Sequence, residues 1–188
     1  MSRIIAIINQ KGGSGKTTTA VNLGAYLARF GKSALLVDLD PQANSTIHLG
    51  LKPHEVQRSV YDVMMDERLF SDVIQATQVD NLFIAPANIN LSGVEIELAG
   101  MVGREIVLKD AVEKIATNYD YIVIDSPPSL GLLTVNALTA AKEIIIPVQT
   151  EFFALEGMGK LFHTVDIVKK RLNRNLRITG IVPTMFDG

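Results

Sequence analysis

The chain has 188 residues, enough for one domain with a real core, and its 47% apolar and 20% charged residues are ordinary for a globular protein. It has no cysteine, which excludes disulfides, thiolate metal sites and cysteine-ligated iron–sulfur clusters. A net charge of −2 argues against a strongly basic nucleic-acid binder, though it leaves room for a local basic patch.

Apolar runs alternate with helical patterns along the chain. A strand over residues 4–9 is followed by a Gly-rich loop and a helix over 16–30, with Gly31 suited to the C′ position. A strand at 34–38 leads into residues 42–60, whose Gly50, Pro53 and polar residues predict a mobile loop with a short helix. Helix 60–65, strand 82–85 and helices 94–98 and 104–118 come next. Strand 121–125, helix 132–141, strand 143–148, helix 155–173 and strand 178–182 complete the order. The strands are rich in Ile and Val and almost continuously apolar, as in a parallel sheet covered on both faces. The fold class expected is α/β: a doubly wound, mostly parallel sheet with helices on both faces, spanning residues 1–188 as one domain. Residues 1–8 lack a basic segment before a long apolar stretch, and no run nears the roughly 18 apolar residues of a membrane span. The cytoplasm is the compartment expected.

Residues 9–19 read Asn-Gln-Lys-Gly-Gly-Ser-Gly-Lys-Thr-Thr-Thr. A strand, a Gly-rich turn and a helix N-terminus together make a phosphate-binding site. The loop N–H groups converge on an anion, and the helix dipole favours negative charge there. Lys16 is placed to reach β/γ-phosphate oxygens, and the Thr17 hydroxyl to bind Mg²⁺. The common P-loop pattern wants glycine at position 10, where this chain has Gln10. It carries instead a second lysine, Lys11, before Gly12, Gly13, Ser14, Gly15, Lys16, Thr17 and Thr18.

Two further segments end apolar strands in acids. Val37-Asp38-Leu39-Asp40-Pro41-Gln42-Ala43-Asn44 brings two carboxylates toward the phosphate loop. Asp40 is the candidate for orienting or activating the attacking water, and Asp38 for supporting the metal shell or the loop. Tyr121-Ile122-Val123-Ile124-Asp125-Ser126-Pro127-Pro128-Ser129 has the Walker-B form, in which Asp125 holds Mg²⁺, often through water. Pro127 and Pro128 stiffen a turn suited to sensing a γ-phosphate. An apolar strand ending in Asp is common by itself; the ordered trio carries the weight.

The Lys-Gly-Gly-x-Gly-Lys-Thr loop resembles the deviant P-loop of the ParA/MinD superfamily of ATPases. The Asp38–Asn44 and Asp125–Ser129 segments resemble that family's Asp-x-Asp-Pro-Gln-x-Asn and Asp-x-Pro-Pro-Ser forms, and residues 146–157 resemble its partition branch. The chain is thereby similar to ParA/Soj-type ATPases of chromosome or plasmid partition. The resemblance implies ATP and Mg²⁺ as cofactors. Residues 11–18 would bind the nucleotide, Lys11, Lys16 and Asp40 would serve catalysis, and Thr17, Asp40 and Asp125 would hold the metal. It also implies an ATP-dependent homodimer in which Lys11 crosses to the partner's phosphates, a ParB-like protein that stimulates hydrolysis, and non-specific DNA binding with nucleoid association. No membrane partner is expected. Ser14 stands where the family most often has Val. Family members typically run on past a segment like Thr184–Asp187, so the C-terminal portion typical of the family is expected to be lacking.

Other features carry less. Lys160, Lys169, Lys170, Arg171, Arg174 and Arg177 crowd one stretch with Asp166 the only acid among them, and 160, 171 and 174 could share part of a helix face. A solvated helix face explains such a stretch equally well. His48, His54 and His163 lack metal-ligand spacing. Met64-Met65 and Phe152-Phe153 suit a core or an interface. The rival readings are a MinD-like division-site ATPase and a truncated, non-hydrolysing nucleotide-binding or dimerisation module.

Overall fold

The computed structural model describes residues 2–66, 68–150 and 154–185. The Phe152-Phe153 pair and the Phe186-Asp187 end of the last motif lie outside them. Among the described residues seven strands form one sheet in the order β3-β4-β2-β5-β1-β6-β7. The strands are β1 Arg3–Ile7, β2 Ala34–Asp38, β3 Gln75–Ala76, β4 Leu82–Ala85, β5 Tyr121–Asp125, β6 Glu143–Gln149 and β7 Arg177–Thr184. Every pairing is parallel except that of the two-residue β3 on the β4 edge. The helices are α1 Lys16–Arg29, α2 Asn44–His48, α3 Val60–Met64, α4 Phe70–Val73, α5 Val94–Glu97, α6 Val107–Glu113, α7 Leu132–Ala140 and α8 Ala154–Arg171.

The apolar runs are continuous because both faces of the sheet are covered. Ile5, Ile7, Leu36, Ile84 and Val123 point to the α1 face. Ile4, Ala6, Ile8, Leu35, Val37, Ile122, Ile124, Ile144 and Ile146 point to the other, where they meet α3 and α5–α8. Helix α1 approaches through small residues four apart, Ala20, Gly24 and Ala28. A Cβ at Gly24 would stand 3.1 Å from a Leu82 methyl, so this stripe sets how closely the helix lies on the sheet. Gly31, at φ 76°, ends the helix at C′ as expected.

Helix 104–118 is shorter than the pattern suggested. Asn136, on α7, donates to the Arg104 carbonyl (2.8 Å) and accepts from the Leu108 N–H (3.1 Å). That contact from another helix sets where α6 begins. A 3₁₀ turn over Ala116–Asn118 replaces its last part. Residues 42–60 do contain a short helix, α2, and it is fastened to the sheet through Asp38. Met64 is buried and Met65 packs against the same core.

The strand ends remote from the phosphate loop are tied by one buried acid. Glu143 is 2% exposed and takes a bidentate bond from Arg3 (2.8 Å each) and a third from the Thr179 hydroxyl (2.9 Å). Arg3 also lies over the Tyr121 ring, 5.4 Å from its centre. The Arg3 hydrogen bonds, with smaller help from Thr179 and Arg177, pull the Glu143 carboxyl down to about 2 against the cost of its burial. Its folded-state value lies below the unfolded one, so this contribution is present above about pH 4.5 and fades as pH falls toward 2. Glu143→Gln should therefore melt earlier than the wild type at pH 7, and in parallel thermal melts the gap should narrow as pH falls below about 4.5 and close only near pH 2. A gap that is constant with pH would remove the charge from the explanation.

Candidate phosphate-binding site

Strand β1 ends at Ile7, and residues 8–15 turn back to start α1 at Lys16. Gly13 (φ 70°) and Gly15 (φ 88°) take left-handed conformations that only glycine adopts freely, which is why the loop needs them. Asn9 buckles the loop's entry. Its oxygen accepts from the Lys11 N–H (3.0 Å), while its amide donates to the Pro147 carbonyl on β6 (2.6 Å). Lys16 is 7% exposed and folds back so that Nζ lies 3.2 Å from the Lys11 carbonyl oxygen. Burial lowers its pKa, opposed by Asp125 and then Asp40.

Asp38 and Asp125 end neighbouring strands and face each other in register. Both are fully buried. Burial, with Asp125 adjacent, pushes the Asp38 carboxyl up to about 7, against hydrogen bonds from Thr46 and Asp40. One Asp38 oxygen accepts the Asp40 N–H (3.2 Å), and the other accepts the N–H (2.8 Å) and hydroxyl (2.7 Å) of Thr46. Thr46 in turn accepts from the Ala87 N–H (2.9 Å). Asp38 is thus a loop anchor, the second of the two roles expected for it. Ala43 sits between these anchors at φ 53°, a strained value for alanine.

Asp125 is different. Its Oδ2 accepts from the Ser45 hydroxyl (2.7 Å), but its Oδ1 is buried without a hydrogen-bond partner. Burial raises its pKa; the neighbouring hydroxyls of Ser45 and Thr17 and the Lys16 ammonium pull the other way. A buried carboxylate oxygen left unpaired is costly unless a cation or water meets it. Among the described residues no three His, Cys, Asp or Glu side chains converge as a metal cage. Mg²⁺ does not need one, since it keeps waters and uses one or two protein groups plus phosphate oxygens. The Asp125 Oδ1 with the Thr17 hydroxyl beside it fits such an ion.

A cleft of about 300 Å³ opens over the loop, walled by residues 12–18, Asp40, Gln42, Asn44, His48, Pro128 and Met185. Asp40 is 6% exposed and its Oδ1 accepts from the Gln42 N–H (2.9 Å). The structure therefore gathers Gly12, Gly13, Ser14, Gly15, Lys16, Thr17, Thr18, Asp40 and Asp125 at one place. The Lys11 side chain is exposed beside them. A larger cavity, about 630 Å³, lies between α1 and the turn before β4, away from this chemistry. His48 rims the cleft, with a ring nitrogen 2.7 Å from the Asn44 carbonyl. The basic residues of α8 are exposed opposite its buried Leu161, Val165 and Val168, but Arg174 lies beyond the helix end and does not continue that face.

Sequence reasoning missed Ser45, Thr46, Asn9, Gln149 and Thr184. The last three are polar residues ending apolar strands at the loop's end of the sheet, which is the signal that would have found them.

The family model described as AAA domain matches residues 2–178. The sporulation initiation inhibitor protein Soj of Bacillus subtilis is 56% identical over 187 residues, covering 100% of this chain and 74% of that protein. The chromosome partitioning protein ParA of Myxococcus xanthus is 48% identical, covering 100% of this chain and 66% of that protein. The chain belongs to the ParA/Soj family of partition ATPases. Among solved structures, cobyrinic acid a,c-diamide synthase from Mycobacterium smegmatis with bound ADP and magnesium superposes with a TM-score of 0.97 at 41% identity, covering 100% of this chain and 76% of that one. Among the described residues, no helix is long and apolar enough to cross a membrane.

The Ser14 hydroxyl is fully buried and has no hydrogen-bond partner. Ser14→Ala should raise the melting point of the nucleotide-free protein by about 2–4 °C, the effect of removing one orphaned polar group worth about 1 kcal/mol. An earlier melt in differential scanning fluorimetry would show that the hydroxyl is satisfied.

Proposed function

We propose that this ParA/Soj-family chain binds ATP with Mg²⁺ at residues 11–18 and hydrolyses it as a nucleotide-gated homodimer of DNA partition. The observation that carries this reading is the buried, unpaired Asp125 Oδ1 beside Lys16 and Thr17, at the end of a loop shaped for phosphate. Solved relatives support the choice of ligand, since one is described with bound ADP and magnesium and another, McdA from Cyanothece, as an ATP complex.

In this reading the N–H groups of residues 12–18 and the Lys16 ammonium hold the phosphates. Thr17 and Asp125, with Asp40 nearby, would hold Mg²⁺, which would supply positive charge to offset the negative charge of the phosphates. Asp40 orients and deprotonates the attacking water. Lys11 reaches across a dimer interface to the partner's phosphates. The dimer binds DNA without sequence preference, with the exposed lysines and arginines of α8 as candidate contacts, and a ParB-like protein stimulates turnover. The sites named here are one domain's, within a chain that spans about two thirds to three quarters of its relatives' length.

The test is light scattering with ATP–Mg²⁺ on the wild type, Lys16→Ala and Asp40→Ala. Asp40→Ala should bind ATP, lose turnover by about 10²–10⁴-fold and accumulate as a dimer. Lys16→Ala should stay monomeric. A monomer in all three, with ATP bound to the wild type, would sink the gated dimer and favour a non-switching nucleotide-binding module.

A further inference from the structure

We propose that Gln149 and Thr184 are positioning residues for the phosphate-binding loop, acting from the ends of β6 and β7. The proposal rests on the reading that residues 12–18 hold nucleotide phosphates. A loop that binds an anion through its backbone must turn successive N–H groups inward. Its carbonyls then point outward, and each needs a donor. Here two consecutive carbonyls find theirs on neighbouring strands. The Gln149 amide donates to the Gly13 oxygen at 3.2 Å, and the Thr184 hydroxyl donates to the Ser14 oxygen at 2.9 Å. Gln149 and Thr184 are register partners across β6 and β7, so the sheet delivers the two donors side by side.

The grip has a steric part as well. A Cβ placed on Gly15 would lie 3.2 Å from the Thr184 methyl carbon, so that methyl stands directly behind the left-handed glycine that begins α1. Gly13 and Gly15, the loop's two positive-φ residues, are therefore both backed from outside: Gly13 through its carbonyl, Gly15 by van der Waals contact. Thr184 is itself held, since its carbonyl accepts from the Thr150 N–H at 3.3 Å. Neither residue belongs to the three motifs that end β1, β2 and β5. Gln149 falls in the 146–157 segment, which had no chemical role on sequence grounds. Fixing the carbonyls fixes the peptide planes, and with them the direction of the N–H groups of the residues that follow. Binding then spends less on ordering the loop.

The experiment measures binding of fluorescent mant-ATP and mant-ADP with Mg²⁺, alongside thermal melts without nucleotide. The variants are Thr184→Val, which keeps shape and loses the donor, Thr184→Ser, which keeps the donor, and Gln149→Leu. Thr184→Val and Gln149→Leu should each weaken both nucleotides about three- to tenfold, with melting points close to wild type. Thr184→Ser, which keeps the donor and loses the methyl, should recover most of the affinity that Thr184→Val loses, the remaining shortfall being the methyl's share. A merely structural role predicts the reverse: lower melting points with unchanged affinity, or a Thr184→Ser as weak as Thr184→Val. Tight binding by both Thr184→Val and Gln149→Leu beside a binding wild type would overturn this proposal alone. No binding by the wild type would overturn the nucleotide-site reading and this proposal with it. Gln149→Leu provides an independent arm should Thr184→Val melt early.

Discussion

Two carboxylates buried at adjacent strand ends are the constraint from which this site is built. Asp38 and Asp125 are in register and both fully buried; burial raises the pKa of each, and the Asp125 charge adds to the rise at Asp38. The protein compensates with a specific set of donors. Thr46 gives Asp38 two hydrogen bonds, Ser45 gives Asp125 one, and the Lys16 ammonium offsets charge at Asp125. Those donors come from α1 and α2, so satisfying the acids is also what fastens the phosphate loop's helix and the Asp40 segment to the sheet. The account closes except at one atom, the Asp125 Oδ1. A folded domain that leaves one buried carboxylate oxygen unpaired beside a phosphate-shaped loop carries a cost that a bound cation removes.

Most of the fold was legible because the sheet is covered on both faces. Each strand then reads as an unbroken apolar run, and β2, β4 and β5 fall on the expected residues. The two-residue β3 and four-residue α4 were not legible, since neither is long enough to show a period. The start of α6 was set by Asn136 on another helix, which no local pattern reports. Arg174 was grouped with the α8 basic face, yet the helix ends at Arg171.

The site divides the same way. Lys16, Thr17, Asp40 and Asp125, which the structure brings together, could be nominated from chain-local order: strand, then loop or acid. The fastening residues were not. Ser45 and Thr46 matter because β2 and β5 are neighbours, and Gln149 and Thr184 because β6 and β7 are. Sheet order is a tertiary fact, and a hydroxyl or amide at a strand end gains meaning only once the neighbouring strand is known.

The two walls of the cleft differ in how they are held. The loop wall is backed by Asn9, Gln149 and Thr184 from three strand ends, and none of those contacts involves the acids. The Asp40 wall hangs on hydroxyl bonds from Ser45 to Asp125, the carboxylate that a metal would engage, and from Thr46 to Asp38, and it includes Ala43 in a strained left-handed conformation. A cation at the Asp125 Oδ1 would compete with Ser45 for that carboxylate's charge, whereas the Asn9, Gln149 and Thr184 contacts that back the loop lie apart from it. Under the proposed reading, the change between nucleotide states would therefore fall on residues 40–46 while residues 9–16 stay fixed. Such a division would suit a nucleotide gate: one wall backed by neighbouring strands, the other joined to the sheet through the carboxylates of the site itself.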